Sequence, residues 1–227
     1  MDRPPHTASQ YDSELRAIES EVLFMITKVD EMLRAALQSV RARDPERARA
    51  VISSDNVVDH LEMAIDDMIQ SVFARRSPVG GDLRFAIGVL KMVTDIERIG
   101  DLACNVAERS LELLGSTGID APPQLDELER RVLDELERVS RAFQQREPRA
   151  ARAVKEDDHT VDNLNRAAFA HLIAVTRAHP DQFERALAYA SICRHLERVG
   201  DHVVNIAERV VFIVDGEEIR HGGGHHG

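Results

Sequence analysis

The 227-residue chain has no tryptophan, and aromatic residues make up 4% of it. Strands favour aromatic and β-branched side chains, so a chain poor in aromatics and dominated by Ala, Leu, Val, Glu and Arg points away from sandwiches and barrels and toward helical bundles. No run approaches the roughly 18 apolar residues that a membrane span needs, and the opening MDRPPHTASQYDSEL lacks the apolar core of a secretory signal. The expectation is a cytoplasmic protein. Only two cysteines occur, Cys104 and Cys193, both in apolar helical segments, which fits buried core thiols better than a disulfide or a thiolate site. Positive charge is the minority sign: 29 Lys and Arg face 40 Asp and Glu, a net charge of -11. That balance argues against nucleic acid as the main partner and favours cations as ligands wherever the acids cluster. At 43% hydrophobic residues, the chain can still bury a core.

What the sequence does contain is a duplication. DIERIGDLACNVAER at residues 95–109 returns as HLERVGDHVVNIAER at 195–209. ARAV at 48–51 returns at 151–154, DNVVDHL at 55–61 as DHTVDNL at 158–164, and the Asp44-Pro45 break as Glu147-Pro148. Apolar periodicity and breakers predict helices from Tyr11 to Ala42, Glu46 to Ala74 and Leu83 to Leu114, then over 124–146, 148–178 and 181–214. Neither half alternates like a strand. The reading is an all-α protein of two tandem, pseudo-symmetric three-helix bundles, residues 1–117 and 118–216, followed by a disordered tail at 217–227.

The acids follow the repeat. At about 100 degrees per residue, Glu97, Asp101, Asn105 and Glu108 share an arc with Ile87, Leu90, Val93 and Cys104. In the preceding helix Asp55, Asp59, Glu62 and Asp66 border the apolar positions Val58, Leu61 and Ile65, and Asp158, Asp162 and Asn165 repeat most of that stripe. On a solvated surface, like charges four apart cost only about 0.2–0.5 kcal/mol and need no explanation. Facing a groove, each pair would repel by about 3 kcal/mol at an effective dielectric near 20, and several pairs would call for a counter-charge. A bound metal supplies one. The pairs Asp55/Asp59, Glu97/Asp101, Asp158/Asp162 and Glu197/Asp201 place acid-x-x-x-Asp twice in each half, on consecutive helices, so two sites of four carboxylates are expected. Glu62, Asn105, Glu108, Asn205 and Glu208 are candidate outer ligands or supports.

The two motifs TDIERIGDLACNVAER and RHLERVGDHVVNIAER, the Asp-x-x-x-Asp segments, the SPVGGDLR turn and the closing VDGEEIRH together resemble the PhoU family of phosphate-signalling regulators over nearly the whole chain. The resemblance implies two three-helix PhoU domains, each able to hold a multinuclear cluster of transition-metal ions on the acid-x-x-x-Asp motifs, with iron as the first expectation and zinc as the second. It further implies a cytoplasmic negative regulator that restrains phosphate uptake and phosphate-starvation genes. Its implied partners are a phosphate ABC transporter ATPase and a sensor histidine kinase. It allows a homodimer and contact with a membrane only from its surface. The second half departs from the first by Asn165 for Glu62 and Phe169 for Asp66, which points to a weaker second site.

Smaller features carry plainer expectations. Asp82 after Gly80-Gly81 reads as a helix N-cap, and Gly100 and Gly200 as points of close packing. His60, His159, His195 and His202 do not repeat as the acids do and read as surface or core residues. A carboxylate-bridged oxidase or phosphohydrolase stands as the alternative to a regulator. Against it, the chain has no repeated Glu-x-x-His, no nucleophile in a repeated motif and no Gly-rich phosphate loop. A helical adaptor without metal is a third reading.

Overall fold

The computed structural model describes residues 5–115, 118, 120–157 and 159–219. The first half contains α1 (Pro5–Ala42), α2 (Pro45–Ser53), α3 (Asp55–Arg76) and α4 (Gly80–Leu114). The second contains α5 (Leu125–Gln145), α6 (Pro148–Asp157), α7 (His159–Ala178) and α8 (Phe183–Asp215), with a 3-10 turn at Pro180–Gln182 before α8. The halves share one pattern of long, short, medium and long helix, and no strand occurs among the described residues. The all-α tandem reading therefore stands, with eight α-helices among the described residues where six were expected.

In the first half the additional helix comes from a break in the second predicted helix. At Ser54 the backbone N–H donates to Val51 O at 3.0 Å and the hydroxyl donates to the same oxygen at 2.7 Å. A carbonyl held by a tight i→i+3 turn ends α2, and α3 starts afresh at Asp55. In the second half α6 ends at Asp157 and α7 begins at His159. The break gives Asp55 the first position of α3, where the unpaired N–H groups of a helix N-terminus favour a carboxylate.

The prolines act where the sequence placed them. Pro45 opens α2 behind Asp44, whose carboxylate accepts from the N–H of Arg47 at 3.1 Å. The residue before each acid-proline pair is left-handed, Arg43 at φ 51° and Arg146 at φ 53°, so each half turns its corner with the same backbone and without glycine. Asp82 is not the N-cap of α4: the helix starts two residues earlier, after extended Val79, and Asp82 lies in its first turn.

The most extensive contact joins α4 to α8 and so joins the two halves. Met92, Val93, Ile96 and Ile99 of α4 and Ile192, Leu196, Val199 and Val203 of α8 are fully buried in a core that also takes in α1, α3, α5, α6 and α7. Gly88 lets the helices approach, since a Cβ there would collide with the side chain of Ile213. Gly100 has Val58 Cγ1 at 3.4 Å and Val29 Cγ1 at 3.6 Å from the place of its missing Cβ, ordinary contact distances, so its packing does not demand glycine as that of Gly88 does. Arg185 of α8, 2% exposed, reaches the end of α4, where its guanidinium donates to Leu113 O at 3.0 Å. Arg84 of α4 lies against Gly216, which caps α8. No helix is long and apolar enough to cross a membrane among the described residues.

Candidate functional site

In the first half α3 and α4 bring Asp55, Asp59, Glu97 and Asp101 to one face, with Glu62 beside them. All five carboxylates are partly buried. Burial, followed by the charges of Asp59 and Asp101, holds the Asp55 carboxyl above its ordinary range, partly offset by the Cys104 thiol, which donates to Asp55 Oδ1 at 3.5 Å. Burial and then the charge of Asp101 raise Glu97, with Glu62 and Asp59 adding to the same effect. Burial and Asp66 raise Glu62, whose Oε1 accepts from Thr94 Oγ1 at 3.5 Å, and burial and Asp67 raise Asp66. These acids disfavour one another's charge, and their face is not a fully solvated surface.

One guanidinium balances part of this charge. Arg98 lies 2.9 Å from Asp101 Oδ2 and 3.4 Å from Glu97 Oε2, while its own side chain is 55% exposed. The sequence reading took Arg98 as part of the repeat and gave it no role. Its position between the two acids it separates in the chain was the available signal.

As placed, no group of three or more His, Cys, Asp or Glu side chains surrounds a point where an ion would sit, among the described residues. What fits a cation here is the chemistry of the set: oxygen donors, partial burial and more negative charge than Arg98 cancels. Hard divalent ions and iron match such donors better than ions that require thiolate.

The second half repeats the positions with less charge. Asp162 lies in the first turn of α7 and is partly buried, Glu197 and Asp201 lie on α8, and Asp158 falls outside the described residues. Arg194 pairs with Glu197, whose side chain is 12% exposed, whereas Asp201 is exposed. Asn165 and Phe169 stand on α7 where α3 has Glu62 and Asp66.

Two candidate supports point elsewhere. The Asn205 amide donates to Asp95 Oδ1 at 3.0 Å, across the α4–α8 interface, and Glu208 takes an ion pair from Lys155 at 2.7 Å. His202 is neither simple surface nor apolar core, because its Nδ1 lies 2.9 Å from the same Asp95 oxygen. Of the expected tail, residues 217–219 are described and without helix, and residues 220–227 lie outside the described residues.

Fold and faces together define an all-α protein made of a duplicated helical unit, with an acidic face at the second and third main helices of each copy. The chain matches the PhoU domain twice, over residues 22–110 and 125–210. It belongs to the PhoU family. It is 31% identical over 222 residues to the phosphate-specific transport system accessory protein PhoU homolog of Pseudomonas putida, covering 96% of this chain and 86% of that protein. It is also 31% identical to a PhoU homolog 1 of Thermotoga maritima, covering 92% and 91% of the two chains. Among solved structures, the crystal structure of PhoU from Pseudomonas aeruginosa superposes with a TM-score of 0.86 at 30% identity, covering 91% of this chain and 100% of that one. The phosphate transport system regulatory protein PhoU from Streptococcus pneumoniae gives 0.86 at 28% identity, covering 93% and 100%.

Proposed function

We propose that this chain is a cytoplasmic, non-catalytic regulator of phosphate homeostasis that acts as an accessory to a phosphate-specific transport system. In this reading it restrains phosphate uptake and phosphate-starvation genes through a phosphate ABC transporter ATPase and a sensor histidine kinase. The observation that carries it is the duplicated PhoU domain over most of the chain, in relatives named as accessory proteins of such a system. The acidic faces add the chemistry. Asp55, Asp59, Glu97 and Asp101 would hold metal ions in the first half and Asp158, Asp162, Glu197 and Asp201 in the second, with iron as the first choice and zinc as the second. A bound ion supplies the positive charge that Arg98 only partly provides and ties α3 to α4.

The test has two arms. Deleting the gene should leave phosphate uptake or starvation-gene expression high when phosphate is plentiful. Replacing Glu97 and Asp101 by Ala should cut the metal content of protein purified without a histidine tag. A silent deletion, together with turnover of a phosphate ester by the pure protein at about 1 per second or more, would replace the regulator by a metal-dependent enzyme.

A further inference from the structure

The duplication has diverged most visibly on the outer side of α7 and α8. There Phe169 is 57% exposed, Ile173 39%, Phe183 56% and Leu187 55%, and together they line a groove of about 310 Å³ floored by Leu172, Ala186 and Ala190. In the first half α3 carries Asp66 and Gln70 at the positions of Phe169 and Ile173. Singly exposed apolar residues are ordinary, but four large ones around a single groove mark a surface that is covered in use.

The charges beside the groove indicate what covers it. Arg177 lines it and Arg166 stands on α7 one turn before Phe169. Neither forms an ion pair among the described residues; Arg166 donates only to Asn163 Oδ1 at 2.6 Å and to Asp162 O at 3.4 Å. Arg194 on the α8 side, by contrast, pairs with Glu197. Among the described residues no acid lines the groove; Asp181 of the 3-10 turn and Glu184 in the first turn of α8 flank Phe183, while Arg166 and Arg177 both stand on α7. Arg166 and Arg177 are eleven positions apart, about 16 Å along a helix, which is three turns.

We propose that this groove receives an amphipathic helix of about three turns from another protein, with its apolar stripe set between α7 and α8 and its carboxylates along Arg166 and Arg177. Apolar anchors at i, i+3 or i+4 and i+7 fit a two-helix groove, and the unpaired guanidiniums select acidic flanks. A lipid surface fits less well, since the apolar residues line a concavity and the whole chain carries a charge of -11, which an anionic bilayer repels. A second copy could offer Met63 with Glu62, Asp66 and Asp67 on α3, but such a contact joins unlike faces and leads to rings or open filaments rather than a simple pair. The proposal does not rest on the phosphate reading.

The experiment places a photo-cross-linking residue at position 173 of the full-length protein in its own host and sequences what it captures. The expected product is a segment of a different polypeptide with an apolar helical stripe and adjacent Asp or Glu. A synthetic peptide of that segment should bind the purified protein at least ten-fold more weakly after Phe169→Asp, which installs the residue of the first half, and also after Arg177→Glu. Replacing the peptide's carboxylates by Lys should restore binding to Arg177→Glu. Both positions are exposed, and unchanged thermal unfolding of the variants checks that they fold. Cross-links to lipid, to a second copy of this chain, to a segment without acidic flanks, or to nothing would overturn the proposal.

Discussion

Asp95 of α4 and His202 of α8 meet where the two halves join, with Asp95 Oδ1 2.9 Å from His202 Nδ1. Asn205 donates its amide to the same oxygen at 3.0 Å. Both donors belong to the repeat that does not contain the carboxylate. The position equivalent to Asp95 in the second half is His195, whose Nδ1 is buried without a hydrogen-bond partner among the described residues. Burial first, and then the charges of Arg109 and Arg198, push its proton affinity down. The side chains therefore do not follow the pseudo-symmetry of the backbone at this junction.

Replacing Asp95 by Ala should strand two donors from α8 at a partly buried site and destabilise the protein by about 1–3 kcal/mol. Asp95→Asn keeps an acceptor oxygen and should cost less. Chemical denaturation of both variants beside the parent decides this, and equal stability of Asp95→Ala and the parent would show that the cluster contributes nothing.

Gly88 makes a sharper packing prediction. Since a Cβ at this position runs into Ile213, Gly88→Ala should destabilise by about 1–3 kcal/mol even though Ala is the better helix former. Ile213→Ala in the same chain should recover part of that loss. Strict additivity in the double-mutant cycle would mean the two residues do not press on each other.

The acidic face should show itself in the pH dependence of the metal-free protein. Asp55, Glu62, Asp66 and Glu97 all have folded-state values raised above the ordinary carboxylate range, so the folded state binds their protons more tightly than the unfolded state does. Their contribution is fully present below about pH 4 and is lost as pH rises through the raised values. Carboxylates held low by arginine, such as Glu127 at about 2, act in the opposite sense. The readout is therefore the difference between parent and Glu97→Gln in the presence of chelator: the parent should lose more stability on going from acid to neutral pH. A difference curve that is flat, or slopes the other way, would place Glu97 outside a repulsive cluster.

The two faces should also differ in affinity. With Asn165 and Phe169 in place of Glu62 and Asp66, the second face carries fewer carboxylates, and titration of metal-free protein with ferrous or zinc ions should resolve a tighter and a weaker class of site. Asn165→Glu should strengthen the weaker class. A single class left unchanged by that substitution would count against two unequal sites.

How far the sequence reached depended on the range of each interaction. The repeat and its proline breaks lie within local stretches, and they yielded the helical class, the corners at Asp44-Pro45 and Glu147-Pro148, and the face shared by Asp55, Asp59, Glu97 and Asp101. The break at Ser54 was missed because a hydroxyl capturing the carbonyl of Val51 competes with helix continuation inside a segment whose apolar period runs on unbroken. Asp95 with His202, and Arg185 with Leu113, are separated by 107 and 72 residues. Nothing along the chain pairs them, and only the antiparallel docking of α4 on α8 does. The direction of Asn205 depended on that docking too, which is why it reads as a ligand on a helical wheel and stands as an interface residue in the fold.

Arg185 on the Leu113 carbonyl near the end of α4, and Arg84 against the glycine that closes α8, mean that each half finishes on a side chain supplied by the other. Continuity of the polypeptide between them is then dispensable, whereas company is not. A chain cut in the segment between Leu114 and Leu125 should give two fragments that are loosely ordered alone and regain the far-ultraviolet and unfolding signature of the intact protein when mixed. By the same logic, a single ancestral unit would have needed a twin before the gene doubled, and the duplication would have turned an encounter between two molecules into an event within one.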